Sequence, residues 1–136
     1  MPKYAFAIVL AAALLGCSSG EQMATAEKEV ATFRQLLDSQ QFAKIHANGS
    51  DELRKAVSEP DLSKILGALA TKLGKVKSST KSGWNVNFNT SGTFVALGYN
   101  TEFEKGAGTE QFVFHVSGGK AKLVSYNVNS PALLLN

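Results

Sequence analysis

Between Ala24 and Asp38 the apolar residues Ala26, Val30, Phe33 and Leu37 recur at three- and four-residue intervals, with Leu36 alongside. That spacing predicts an amphipathic helix. Asp38-Ser39-Gln40 breaks the pattern, and Gln41 to Ala47 fits a short second helix burying Phe42 and Ile45. Asn48-Gly49 ends it, glycine being suited to a left-handed cap. Ser50 can cap a third helix, with Asp51 and Glu52 in its first turn and Leu53, Ala56 and Val57 on its apolar side. A fourth starts near Pro60, carries a broad stripe of Leu62, Ile65, Leu66, Leu69 and Leu73, and stops at Gly74.

Beyond Gly74 the period falls to two. Trp84, Val86 and Phe88 alternate with Asn85, Asn87 and Asn89, the pattern of a half-buried strand. Asn89-Thr90-Ser91-Gly92 reads as a turn, Thr93 to Glu104 as a second strand, and Thr109 to Val116 and Lys120 to Val128 as a third and fourth. Gly118-Gly119 permits a two-residue hairpin, which pairs Ser117 with Lys120, Val116 with Ala121 and Phe114 with Leu123. An unbroken ladder then puts Glu110, Phe112, Phe114, Val116, Ala121, Leu123, Ser125 and Asn127 on one face. Gln111, Val113, His115, Lys122, Val124, Tyr126 and Val128 fall on the other. The first face is the more apolar and is expected to pack on the helices, with Phe112, Phe114 and Leu123 against Phe33 and Leu37.

The N-terminus follows a different logic. Lys3 precedes an apolar run from Tyr4 to Leu15, which is well short of the ~20 residues needed to cross a bilayer but has the length and flanks of a secretory signal's apolar region. The run ends in Leu14-Leu15-Gly16-Cys17, which resembles a bacterial lipobox. The resemblance implies a signal peptide over 1–16, a polar tether over 17–23 and a single domain over 24–136. Cys17 would carry a thioether-linked diacylglycerol, usually with a third acyl chain such as palmitate. Two acyl chains suffice for stable anchoring. Ser18 in place of Asp favours the periplasmic face of an outer membrane. The other reading is an ordinary signal peptide with a chance cysteine.

Cys17 is the only cysteine, so its acylation would leave no thiol for a disulfide, a metal or a nucleophile. Of 14 basic residues, 13 remain once Lys3 is removed, against 11 acidic ones. A net charge near +2 gives no basis for a nucleic-acid partner. Lys64, Lys72, Lys75, Lys77 and Lys81 nevertheless gather near one helix–strand junction, where they either form a solvated face or meet anionic head groups.

Helices followed by a curved antiparallel sheet is the order of the α+β cone fold of nuclear transport factor 2, ketosteroid isomerase and polyketide cyclases. Phe33 to Ile45 resembles that fold's helix, Asp-centred turn and second short helix. Leu73 to Ser78 resembles the exit into its sheet; Tyr99 to Phe103, Glu110 to Val116 and Gly119 to Tyr126 resemble its closing strands. The chain is similar over residues 24–130 to small secreted bacterial proteins of this fold that have no established activity. Where those usually carry Trp and Gly in the last strand, this chain has Ala121 and Ser125. The fold hosts enzymes, binders and assembly modules alike.

Chemistry is sparse. His46 and His115 lie on different elements with no further ligands near them in sequence, so neither a metal nor another cofactor is expected. By analogy with cone-fold isomerases, Glu110 is the candidate general base, flanked by Phe112, with Asn127 opposite and Ser125 one pair along. Tyr99, Thr101 and Asp38 could add hydrogen bonds. A desolvated carboxylate there would have a raised pKa, whereas one at the sheet rim would be solvated or lysine-paired. The opposite face offers an apolar strip of Val113, Val124 and Tyr126, extended by Phe94 and Ala96. It is either a surface for a homodimer or an envelope partner, or is covered by Pro131 to Leu135. Protonated His115 beside Lys122 would oppose association in mild acid. The sequence therefore favours a membrane-anchored binding or interaction module, with a small cofactor-free isomerase or cyclase as the alternative.

Overall fold

The computed structural model describes residues 19–135, so the expected signal peptide and Cys17 lie outside the described residues. Four helices come first: α1 (Ser19–Asp38), α2 (Phe42–Asn48), α3 (Asp51–Ala56) and α4 (Glu59–Leu73). Four strands follow, β1 (Val76–Asn89), β2 (Gly92–Phe103), β3 (Gly106–Ser117) and β4 (Lys120–Asn129), and a last turn of helix, α5 (Ala132–Leu135). The strands form one antiparallel meander in the order β1-β2-β3-β4. This is the α+β order that the periodicities predict and the cone that the family resemblance implies.

The expected tether over 17–23 is corrected from Ser19 onward, because α1 begins there. The helical stripe extends one turn further back than Ala26: Gln22 is buried and Met23 packs on the core. Side-chain caps fix the shorter helices. The Ser50 hydroxyl accepts from the Leu53 amide at 3.2 Å and donates to the Leu123 carbonyl at 2.9 Å, while the Ser50 amide donates to the same carbonyl. One residue thus starts α3 and fastens it to the edge strand β4. Ser58 caps α4 through the Asp61 amide, with Pro60 in the first turn.

The Gly118-Gly119 hairpin has the expected register near the turn, with Ser117 opposite Lys120 and Phe114 opposite Leu123. Both glycines take positive φ, +58° and +74°, which an L side chain adopts only at a cost. Farther from the turn the ladder departs from the expected one. Phe114 pairs with Leu123 but Val113 pairs with Ser125, leaving Val124 as an extra residue in β4. A side-chain period of two means that one inserted residue exchanges the faces of everything beyond it. Tyr126 and Val128 therefore join the inner face, and Ser125 and Asn127 leave it.

The inner face packs on α1 as expected. Val95, Leu97, Phe112, Phe114, Val116 and Leu123 form one buried cluster with Ala26, Val30, Phe33 and Leu37. Phe112 is wholly buried, meeting Phe33 edge-on at 5.2 Å between ring centroids and Tyr126 at 4.8 Å. At the far end Leu73, Phe103 and Ala132 form a second cluster, where the C-terminal segment docks. Pro131 to Leu135 thus closes the end of the fold and does not cover the outer strip; Leu134 and Leu135 stay exposed.

Candidate functional site

Glu110 projects inward from β3 and is 2 % exposed, the one buried carboxylate among the described residues. Three elements deliver donors to it. Arg34 on α1 lies one residue past the core residue Phe33, at the edge of the apolar stripe, and its Nη2 donates to Glu110 Oε1 at 2.7 Å. Thr101 on β2 donates to the same oxygen at 2.6 Å, and the Tyr126 hydroxyl on β4 donates to Oε2 at 2.7 Å. Ser79 on β1 completes the group, hydrogen-bonded to Thr101 Oγ1 at 2.8 Å and accepting from Arg34 Nη2 at 3.0 Å. All four strands and α1 therefore meet at one carboxylate.

Electrostatics sort the roles. Arg34 supplies the countercharge that a buried carboxylate needs, and its guanidinium also lies 5.1 Å from the centroid of the Tyr99 ring. Its buried Nε has no hydrogen-bond partner. Burial first, and then the charge and hydrogen bond of Glu110, push the Tyr126 phenol far above its ordinary value. Tyr99 is pushed up too, by burial first and the Glu27 charge next, with Arg34 opposing. Tyr126 is thus held as a neutral donor throughout the neutral range, matched to an acceptor-only carboxylate.

Of the residues expected around Glu110, Thr101 binds it directly and Tyr99 stacks on its arginine. Asp38 is exposed and plays no part. Asn127 and Ser125 belong to the other face, so the expected pairing of Glu110 with Asn127 is corrected: Val128 stands opposite. Arg34 and Ser79 were not singled out by the sequence. The available signal was an arginine directly after Phe33, where a cation skirts the core.

The outer strip is smaller than expected. Val113 and Val124 are half-buried, with Ala96 beside Val113 in the ladder, but Tyr126 is an inner residue and leaves the strip. Phe94 stacks on His115 at 4.6 Å, and His115 Nδ1 lies 3.2 Å from Glu52 Oε1. The imidazole that was expected to meet only Lys122 therefore has an anion beside it.

On the side of the sheet away from the helices, a surface cleft of about 720 Å³ runs past Ser78, Thr80, Asn100, Thr109 and Leu134. Among the described residues there is no group of three or more His, Cys, Asp and Glu placed to hold a metal ion. No described helix is long and apolar enough to cross a membrane.

The architecture has solved counterparts. The chain is similar to Aln2 from a Streptomyces species, with a TM-score of 0.58 at 11 % identity, over 87 % of this chain and 96 % of that one. A candidate scytalone dehydratase from Novosphingobium aromaticivorans superposes with a TM-score of 0.49 at 13 % identity, over 80 % and 83 % of the two chains. No family model and no curated protein sequence matches the chain. At this level of identity the likeness to Aln2 shows the fold alone: an α+β domain with helices packed on a curved four-stranded antiparallel sheet.

Proposed function

We propose that the chain is a lipid-anchored binding module of a bacterial envelope, held through acylated Cys17 at the periplasmic face of an outer membrane. One observation carries the choice of binder over enzyme: Glu110 is committed to its own chain. Oε1 accepts from both Arg34 and Thr101, Oε2 accepts from Tyr126, and the residue is 2 % exposed. A substrate carbon could approach the carboxylate only by displacing one of these donors. On the same inner face Phe33, Phe112 and Tyr126 pack on one another with ring centroids 4.6–5.2 Å apart. The cleft of about 300 Å³ that borders Glu110 meets a residue whose side chain is only 1 % exposed. In this reading the network fastens α1 to the sheet, and recognition takes place on the surface.

Outside the core the half-buried Val113 and Val124 are the patch for a second copy or an envelope partner. The isomerase reading keeps Glu110 as base and needs Tyr126 to swing away. One measurement tests the anchor and a second separates binder from isomerase. Mass spectrometry of the mature N-terminus is expected to find diacylglycerol on Cys17, and cleavage elsewhere with an unmodified Cys17 removes the anchor. Glu110→Gln is expected to lower stability without abolishing partner capture. A fully stable Glu110→Gln domain removes the fastening role and returns the carboxylate to the isomerase reading.

A further inference from the structure

Three large apolar side chains line the inner face of the edge strand β1 beyond the helices: Trp84, Val86 and Phe88. Trp84 pairs with the core residue Leu97 and Val86 with Val95, so all three point to the helix side of the sheet. Yet Trp84 is 55 % and Phe88 54 % exposed. The reason is the course of β1 along α1. Ser79 meets Arg34, Lys81 pairs with Glu27 two turns earlier, and Phe88 shares a surface cleft with Glu21, Gln22 and Thr25 in the first turns. The strand thus runs past the first described turns of α1, and its aromatic side chains stay largely uncovered there.

That end is where the chain leads to Cys17. Only Ser18 lies between Cys17 and Ser19, the first described residue of α1, so the two Cα atoms are at most ~7 Å apart at about 3.6 Å per residue. A lipid on Cys17 would hold the α1 terminus, and with it Phe88 and Trp84, at the head-group level. Trp is enriched at membrane–water interfaces, and Phe is an apolar anchor of surface-lying segments. The lysine-rich α4–β1 junction lies at the opposite end of β1, about 40 Å away at roughly 3.3 Å per residue, and Lys81 is already paired with Glu27.

We infer that Trp84 and Phe88 insert into the membrane interface as a second contact beside the acylated cysteine, fixing the orientation of the domain on its bilayer. The inference rests on the acylated-Cys17 reading. A lipid with one attachment leaves the domain free to swivel; two attachments turn a chosen face toward the periplasm. The end carrying the β1–β2 and β3–β4 turns then lies against lipid, and the α4–β1 end with the C-terminal Leu134 and Leu135 points away.

Trp84 is the chain's only tryptophan, so its fluorescence reports this contact directly. The mature lipoprotein is extracted in detergent and reconstituted into phosphatidylethanolamine–phosphatidylglycerol vesicles, with or without acyl-brominated phospholipid. The expected result is loss of Trp84 emission to the brominated lipid, shielding from aqueous iodide, and a decrease of both effects in Phe88→Ser. If vesicle-bound protein carries lipid on Cys17 but its Trp84 is quenched by iodide and not by bromine, the inference fails and the anchor stands. Shielding from both quenchers, with a cross-linked dimer, assigns the patch to a second copy and also overturns it. An unmodified Cys17 with no vesicle flotation removes the anchor and this inference together.

Discussion

The Tyr126 hydroxyl donates a 2.7 Å hydrogen bond to Oε2 of Glu110, although Val128 and not Tyr126 stands opposite Glu110 in the ladder. The contact exists because β4 carries Val124 as one extra residue between the pairs Phe114–Leu123 and Val113–Ser125. A bulge has turned an outward tyrosine into the lid of a buried ion pair.

Removing Glu110 tests that ion pair. Glu110→Ala leaves the Arg34 guanidinium, only 19 % exposed, without its anion, and is expected to lower stability by about 3–5 kcal/mol. Tyr126→Phe removes one bond to a charged acceptor and should cost about 1.5–3 kcal/mol. Combining Glu110→Gln with Arg34→Met is expected to recover part of the single-variant loss, because no unpaired charge remains. Urea denaturation of Glu110→Gln, Arg34→Met and their combination, beside Glu110→Ala and Tyr126→Phe, decides the point; strict additivity of the two single losses would mean that the pair is not coupled.

The bulge can be deleted. Without Val124 the ladder runs unbroken and every other pair is kept, with Ser125 opposite Val113, Tyr126 opposite Phe112 and Val128 opposite Glu110. Tyr126 then stays inside, so adding Tyr126→Phe to the deletion is still expected to cost about 1.5–3 kcal/mol. No further loss of stability in the combined variant would show that Tyr126 has turned outward.

Alkaline pH should weaken the fold through Tyr126. Its folded-state pKa is raised, whereas in the unfolded chain a tyrosine titrates near pH ~10. The stabilisation is therefore fully present below about pH 10 and is lost above it, where the unfolded state binds fewer protons than the folded one. Urea midpoints measured across this range are expected to fall less steeply in Tyr126→Phe than in the unaltered chain. Parallel curves would mean that the phenol is accessible to hydroxide.

Association through Val113 and Val124 should be weak, because the patch is small without Tyr126. Sedimentation is expected to show a concentration-dependent dimer that Val124→Lys abolishes. The Glu52 carboxyl is held below the usual carboxylate range, by its backbone hydrogen bond first, with Ser50 and His115 adding to this, and it faces His115 together with Lys122. His115 thus has an anion beside it, so association is expected to change little when the sedimentation is repeated in mild acid. A sharp loss there would show that Lys122 repulsion dominates after all.

Much of the domain was legible from periodicity. The helices carrying Phe33, Ile45, Leu53 and Leu66, the four strands, and the hairpin at Gly118-Gly119 follow from local patterns, since burial repeats at 3.6 or 2 residues and glycine supplies positive φ. The extension of α1 back to Ser19 was less visible, because the polar Gln22 occupies a core position there.

Sequence alone determined the order of elements, the inward face of β3 including Glu110, and the motif at Cys17. Only the tertiary structure decided which neighbours Glu110 has. Arg34 lies 76 positions earlier in the chain and reaches it through packing of α1 across β1, where Ser79, 31 positions earlier, bonds both Arg34 and Thr101; no local pattern encodes this. Tyr126 was misplaced for a different reason: a bulge leaves no mark in a two-residue repeat, and every side chain beyond it changes face at once.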